Sequence, residues 1–339
     1  MIPGERAMSA GCSRAGLALA SLAIAGVAAS LHAQDLAPRA YTITPRGSNA
    51  FTLANAYNDG PLQLEGASPI EDATARLNAP SLTYYRAFSL FGRSANVIAG
   101  VAYGVGDFEG SLFGERQSTH RSGLFDSVAR VSVNLVGGPA MSLPEMRTWQ
   151  QKTLLGFSLK VTAPTGQYDP TKLINLGTNR WAFKPELGLS RRWGNWLLDA
   201  YGGVWLYTEN PEFFSRNDYF PGVQAQTRDP VLVVETHLSY DFRPRLWVSL
   251  DANFWRGGTL TVNGVESAAT LQENSRVGMT ASFPVTRHQS VKLSYAWGAY
   301  IRFGGDFQVL SVAWQYSWIS GASIPRTART SSDSSSRQE

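Results

Sequence analysis

Apolar and polar residues alternate with a period of two along most of this chain. Between Leu310 and Trp318 every second residue is a large apolar or aromatic one, and the residues between them are small or polar. Residues 246–254 and 291–299 repeat the pattern. Because successive side chains of a strand point to opposite faces, the pattern predicts strands with one apolar and one polar face. About twelve such segments lie near residues 50–57, 81–91, 95–106, 125–136, 151–163, 181–192, 196–208, 231–242, 246–256, 274–283, 289–301 and 306–318.

The connections between these segments alternate in length along the chain. Short ones fall at residues 92–93, 193–195, 243–245 and 285–288, and long ones at 58–80, 107–124, 164–180, 209–230 and 257–273. Outer-membrane barrels have short periplasmic turns and longer outer loops. With both ends of the barrel on the periplasmic side, two connections depart from this rule. The link 137–150 is long on the periplasmic side, and 303–305 is short on the outer side.

These patterns predict an all-β fold, a transmembrane antiparallel up-and-down β-barrel of about 12 strands over residues 50–318. Lipid offers no hydrogen bonds, so only a sheet without edges satisfies every strand amide there. The strands of a soluble β-sandwich would also alternate apolar and polar residues, but a sandwich gives no reason for loops of alternating length. Aromatic residues near strand ends are expected to form interfacial girdles, and they include Tyr240, Trp255, Trp297, Trp314, Tyr316 and Trp318.

The segments outside the barrel have distinct compositions. Residues 1–33 are predicted to be a signal peptide, because the basic Arg6 and Arg14 accompany an apolar, small-residue run over 15–29. Residues 34–49 are expected to form an N-terminal periplasmic segment. The Ser- and Arg-rich residues 319–339 are expected to be a disordered tail. The formal net charge of +4 is spread evenly along the chain, which argues against a nucleic-acid partner.

The polar face of the strands is expected to line the lumen. It carries charges of both signs, so a simple anion- or cation-selective ring is not indicated. Two interpretations remain open: the charges flank a wet path for solutes, or they form a self-neutralising network that stabilises the barrel. The predicted lumen-lining residues are Asp126, Arg130, Asn134, Lys160, Lys184, Glu186, Asp199, Tyr201, Trp205, Glu235, His237, Asp251, Arg276 and Lys292.

The loop 164–180 is predicted to lie at the barrel mouth. Its candidate residues are Tyr168, Leu173, Ile174 and Leu176. We expect the three aliphatic side chains to fold over the mouth and narrow it, since an apolar loop must pack on something to avoid water. Packing on neighbouring loops is the alternative.

No pattern for catalysis, cofactor binding or metal binding emerges. A lipid-facing Ser-His pair would be needed for a phospholipase, and the alternation turns His237 toward the lumen instead. His120 and His288 fall in connections. The glycines of 104–110 do not match a dinucleotide fingerprint, because the spacing is one residue too long. We therefore predict a protein that is not an enzyme and has no cofactor.

Two runs of the chain resemble a known family. Residues 159–189, which read LKVTAPTGQYDPTKLINLGTNRWAFKPELGL, are similar to the signature of the meta-pathway phenol degradation protein family. Residues 125–140, which read FDSVARVSVNLVGGPA, resemble that family's second block. This chain departs from it at Ser127, where the family commonly has proline, and in the tail after Trp318.

The resemblance implies a function as well as a fold. It implies an outer-membrane channel or transporter of a Gram-negative bacterium that takes up small aromatic or hydrophobic compounds by diffusion through the barrel. Its partners would be outer-membrane lipid and those solutes. A non-conducting barrel with a structural or adhesive role remains the alternative at this point.

Overall fold

The computed structural model describes residues 38–64, 70–112, 114–214 and 222–320, and the predicted signal peptide and nearly all of the predicted tail lie outside them. Within these residues a short helix α1 (Leu143–Thr148) and a 3-10 turn (Ala268–Thr270) accompany seventeen strands. The strands are β1 (Ser48–Gln63), β2 (Ile70–Leu90), β3 (Arg93–Leu112), β4 (Glu115–Leu124), β5 (Ser127–Val136), β6 (Thr153–Ala163), β7 (Ala182–Trp193), β8 (Trp196–Tyr207), β9 (Gln226–Arg228), β10 (Val231–Arg243), β11 (Leu246–Gly257), β12 (Leu260–Val262), β13 (Val265–Ser267), β14 (Gln272–Pro284), β15 (Gln289–Ile301), β16 (Gly304–Gly305) and β17 (Gln308–Ile319).

Twelve strand positions close into one antiparallel barrel. Their order is β1, β2, β3, β5, β6, β7, β8, β10, β11, β14, β15 and β17, and β17 pairs back onto β1 from Ser48↔Ile319 to Asp59↔Gln308. Strand β4 pairs with the outer part of β3 and β5 with its inner part, so the two share one position. Closure removes the free edges of the described ring, whereas β4 outside it pairs with β3 alone. The predicted all-β barrel is confirmed.

The exterior of the barrel is apolar and the interior polar. Leu250 is 63% exposed and faces outward, whereas the next residue, Asp251, is 4% exposed and faces inward. This arrangement is the reverse of a soluble protein and is that of a barrel in a bilayer. Among the residues that the structure describes, no helix has the length and apolar character needed to cross a membrane.

Aromatic side chains form a girdle at the end of the barrel that has the short turns. The ring of Tyr240 lies 4.9 Å from that of Trp196 and 5.1 Å from that of Phe242, with T-shaped geometry in both pairs. The girdle prediction is wrong for Trp255, which is fully buried inside the barrel. Its neighbour Phe254 faces lipid, so strict alternation turns Trp255 into the lumen.

The loops expected at 58–80 and 107–124 are largely strand. Strands β1 to β4 extend beyond the barrel as tall hairpins at the end opposite the short turns. There the outward face meets water instead of lipid and carries polar residues such as Arg76, whereas inward residues such as Ala75 and Phe108 are buried, so the polarity of the alternation reverses although pairing continues. Polar cross-strand contacts join the outer parts of β3 and β4: Arg116 Nη2 lies 2.6 Å from Glu109 Oε2, and His120 Nδ1 lies 2.7 Å from Asp107 Oδ1.

The long periplasmic link at 137–150 has a packing role. It carries α1, where the Glu145 carboxylate accepts hydrogen bonds from the Ser142 amide at 2.6 Å and hydroxyl at 2.7 Å. These hydrogen bonds lower the pKa of Glu145. Met141 of the same link packs with Ile43 and Leu154 in a buried cluster. The link is long because it covers the chain segment that precedes β1.

Candidate functional site in the barrel lumen

The lumen contains a cavity of about 640 Å³ with two unlike walls. We call the first the small-residue wall; it belongs to β1, β2, β3, β15 and β17 and includes Thr52, Ala54, Ala56, Ala79, Ser81, Thr83, Gly100, Ala102, Ser294, Ala296, Ser311 and Ala313. We call the second the charged wall; it belongs to the strands from β5 to β14 and includes Arg130, Lys160, Lys184, Glu186, Tyr201, Glu235, Asp251 and Arg276. Lys292 stands on β15 at the border between the two.

Glu186 is the centre of an ion network on the charged wall. Its carboxylate lies 2.6 Å from Lys184 Nζ and 3.3 Å from Arg130 Nη2. Lys184 Nζ also donates to Glu235 Oε1 at 3.0 Å. All of these side chains are largely buried, and an ion pair in such a place is retained only when each partner is well compensated. The contacts support the self-neutralising network among the two interpretations left open by the sequence.

The network continues through His237. Its Nδ1 lies 2.8 Å from Asp251 Oδ1, and its Nε2 lies 3.9 Å from Glu235 Oε2. Asp251 also accepts hydrogen bonds from the hydroxyls of Ser249 at 2.9 Å and Thr280 at 2.7 Å. The histidine is thus held between two carboxylates and is fully buried.

The segment before β1 enters the lumen from the end with the short turns. The Tyr41 ring lies against Gly156 and Gly188, where a Cβ atom would come within 2.2 and 2.0 Å of it. Its hydroxyl donates to Glu186 Oε1 at 2.9 Å, and the Arg130 guanidinium carbon lies 4.9 Å from its ring centroid. The two glycines are register partners on β6 and β7, so together they form a notch for the ring.

Arg39 and Ala40 tie the same segment to the charged wall. The Arg39 amide donates to Asp199 Oδ2 at 3.2 Å, and its guanidinium donates to Asp241 Oδ1 at 2.8 Å. The Ala40 amide donates to the Tyr201 hydroxyl at 3.0 Å. Residues 39–41 therefore sit inside the barrel, which differs from the expected periplasmic position of 34–49. A barrel of this width leaves a polar interior that an extended chain can fill.

Asp126 holds the mouth loop in place. Its carboxylate accepts hydrogen bonds from the amides of Gly166 and Thr178, both at 2.9 Å, and from the Thr178 hydroxyl at 2.5 Å. The two ends of the loop are thereby joined. Tyr168 donates its hydroxyl to the carbonyl oxygen of Glu212 at 3.0 Å, which links the loop to the next outer connection.

The aliphatic residues of the loop reach the strands on the far side of the mouth. Leu176 is buried and packs with Leu77 and Phe125. Leu173 and Ile174 pack against a buried apolar cluster formed by Leu62, Leu64, Ala73, Ala75, Phe108, Phe303 and Phe307. Because Leu62 and Phe307 belong to the opposite part of the ring, the loop spans the outer end of the lumen.

The remaining predicted residues also face the interior. Asn134 Nδ2 donates to the Tyr41 carbonyl oxygen at 3.3 Å. Lys160 Nζ lies 5.6 Å from the Trp205 ring centroid, and Lys292 Nζ lies 6.0 Å from that of Trp247.

Sequence reasoning missed Arg39, Tyr41, Arg180 and Arg228. None of them lies in an alternating segment, and alternation was the only signal used to place residues in the lumen.

Solved structures share this architecture. The COG4313 outer membrane channel from Pseudomonas putida F1 superposes with a TM-score of 0.68 at 16% sequence identity, over 84% of this chain and 100% of that one. The transport unit of the autotransporter AIDA-I from Escherichia coli gives 0.47 at 11% identity, over 91% and 98%. The beta domain of the Bordetella autotransporter BrkA gives 0.45 at 11% identity, over 80% and 100%. The similarity to the Pseudomonas putida structure shows that this chain has the fold of that barrel.

Sequence comparison gives the family. Among curated proteins none matches this chain. A family model matches residues 59–321, which is most of the chain and contains both runs that carry the resemblance. The chain belongs to the family described as "Putative MetA-pathway of phenol degradation".

Proposed function

We propose that the barrel carries small aromatic or hydrophobic compounds across the outer membrane by diffusion through its lumen. The observation that carries this proposal is the two-walled cavity of about 640 Å³. Small-molecule sites in proteins have volumes of about 300–1,000 Å³ and are mostly apolar, with a few placed polar groups. The small-residue wall leaves room for a ring and offers it an apolar surface.

The charged wall supports the same function from the other side. Glu186 and Asp251 already accept hydrogen bonds from Lys184, Arg130 and His237, so a passing apolar solute does not strip water from these carboxylates. Removing that water would be costly. A self-neutralising wall therefore lets an apolar solute share the lumen with charged groups.

The comparisons support transport as well. The family is described by a pathway of phenol degradation, and the similar structure from Pseudomonas putida is named an outer membrane channel. Outer-membrane lipid would be the partner of the apolar exterior. We assign no catalytic step and no cofactor to the buried charges, because their contacts account for them as packing and pairing groups.

Liposome uptake tests the proposal with one narrowing substitution and its matched control. Ala54→Trp fills the small-residue wall, whereas Leu53→Trp adds the same ring to the lipid face of the same strand. Phenol, benzoate and a sugar are the solutes, and protein-free liposomes give the background for membrane-permeant phenol. We expect protein-dependent uptake of the aromatic solutes to fall in Ala54→Trp alone. Uptake that never exceeds the background would refute transport.

A non-conducting barrel is the second candidate, and the segment at 39–41 inside the lumen is the observation that favours it. Planar-bilayer recordings of the intact barrel and of Tyr41→Ala separate the two. Tyr41→Ala removes the ring from the Gly156 and Gly188 notch, so a transport barrel should show conductance that rises in this variant. A structural or adhesive barrel should show none in either protein.

A further inference from the structure

Two arginines at the outer end of the lumen differ from Lys184, Arg130 and His237 of the charged wall. Lys184, Arg130 and His237 each have a carboxylate partner, as described above. Arg180 and Arg228 are 4% and 6% exposed, and no ion pair joins either of them to a carboxylate in the described part of the chain. Nη1 of both side chains, and Nε of Arg228, also have no hydrogen-bond partner there.

Both guanidinium groups gather around one aromatic ring. The Arg228 guanidinium carbon lies 5.0 Å from the Tyr207 ring centroid, and that of Arg180 lies 5.6 Å from it. Tyr207 in turn stacks on Trp205, with ring centroids 6.3 Å apart and an interplanar angle of 17°. Gly258 makes room for this arrangement, because a Cβ atom there would come within 2.9 Å of Arg228 Nε.

The pair is electrostatically incomplete. Burial first, and then the neighbouring Arg228, lower the pKa of Arg180 to about 10, so Arg180 remains cationic at neutral pH. Contact with an aromatic face compensates a buried cation only in part. Two like charges held together are costly when, as among the described residues, no carboxylate contacts either of them, and an added anion would relieve both the desolvation and the repulsion.

We propose that Arg180 and Arg228 form a binding site for the carboxylate of a small aromatic acid, with the aromatic ring of the ligand beside Tyr207 and Trp205. Guanidinium groups present paired N–H donors that match a carboxylate. The planar side chains of Tyr207 and Trp205 can stack on the aromatic ring of the ligand. The site rests on the proposed function, and it deepens that function by naming the class of aromatic solute captured at the outer end.

Fluorescence titration of the purified barrel measures this binding, because Trp205 adjoins the site. The ligands are benzoate, phenol as a ring without a carboxylate, acetate as a carboxylate without a ring, and inorganic phosphate as a different anion. We expect benzoate to bind at least about tenfold more tightly than any of the other three, since only it satisfies both parts of the site. Phosphate or phenol binding as tightly as benzoate would overturn the proposal.

Substitutions locate the binding. Arg180→Gln combined with Arg228→Gln should weaken benzoate binding by about tenfold or more, while Arg302→Gln should leave it unchanged. Arg302 is the matched control because it is a half-exposed arginine at the same end, near Glu273. If the double variant does not fold, Arg228→Lys keeps the charge but not the paired donors, and we expect it to weaken binding by about threefold. Unchanged binding in the variants that fold would contradict the site.

Together with the binding data, the liposome experiment distinguishes a wrong carboxylate site from a wrong transport function. If aromatic uptake depends on Ala54 but benzoate binds no better than phenol, the transport function stands and the carboxylate site is wrong. If benzoate binds at Arg180 and Arg228 but no aromatic solute is taken up, the site stands and the transport function is wrong.

Discussion

The two walls of the lumen differ in how they place polar groups inside the barrel. The small-residue wall includes Ala54, Ser81 and Ala313. These short side chains carry few polar groups that lose water on burial or need a hydrogen-bond partner. The charged wall gathers carboxylates and cations into one network, with Glu186 in contact with Lys184 and Arg130. The pairing of charges on the second wall depends on contacts between residues far apart in the chain.

The charged wall is the rigid side of the barrel interior, and the small-residue wall is the side with free volume. The network and the Tyr41 ring occupy one side of the interior, so the free volume lies against the other side. Substitutions should therefore have large effects on stability at the charged wall and small ones at the small-residue wall.

Glu186→Gln should destabilise the barrel most. The change leaves Lys184 and Arg130 with one carboxylate fewer and weakens the bond from the Tyr41 hydroxyl. Breaking a buried ion pair from one side costs about 3–5 kcal/mol. Urea unfolding of the detergent-refolded barrel measures the free energy. Glu273→Gln, at a partly exposed carboxylate, is the control and should change it little; equal losses in both would refute the contrast.

Asp126→Ala should release the mouth loop. It removes the acceptor for both loop ends, Gly166 and Thr178. Hydrogen bonds to a charged group contribute about 1.5–3 kcal/mol. We therefore expect the free energy of unfolding to fall by that order and proteolysis within 164–180 to become faster. The control is Asp229→Asn, an exposed carboxylate at the same end. A loop that resists protease as well as before would show that other contacts hold it.

Gly188→Ala should expel the Tyr41 ring from its notch. The added Cβ atom would lie 2.0 Å from the ring, and overpacking of this kind costs about 1–3 kcal/mol. Gly202→Ala, where nothing lies within 4 Å, is the matched glycine control. The free energy of unfolding of the double variant Gly188→Ala with Tyr41→Ala should fall by less than the sum of the decreases in the two single variants. Additive losses in urea unfolding would mean that the two residues do not contact each other.

The smallest effect is expected from a pair of serines, one on each wall. Ser311→Ala on the small-residue wall should change the free energy of unfolding by less than about 0.5 kcal/mol. Ser158→Ala on the charged wall removes the hydroxyl that contacts Tyr41 at 3.1 Å and should cost about 0.5–1.5 kcal/mol. The same urea titration compares them. A larger loss at Ser311 would reverse the order of the two walls.

Strand alternation predicted much of this architecture because it is a local property. A lipid-facing Leu250 beside an inward Asp251 needs only the two-residue repeat of a strand and an apolar solvent. The rule fails where that solvent ends: the hairpins formed by β1 to β4 have a wet, polar outward face and buried inward residues such as Ala75 and Phe108, so 58–80 and 107–124 looked like loops. It was also applied incompletely at Trp255, whose own neighbour Phe254 already marked it as inward.

The amino-acid sequence by itself determined the closed sheet, its number of strands and the polarity of its two faces, because each depends on neighbours a few residues apart and on the absence of water around the barrel. Only the tertiary structure decided which inward groups meet. Tyr41 reaches Glu186, Asp126 reaches Thr178, and Arg180 and Arg228 meet at Tyr207, through strand register and through segments without any periodic pattern. Those contacts join residues far apart in the chain, and a local repeat contains no information about them.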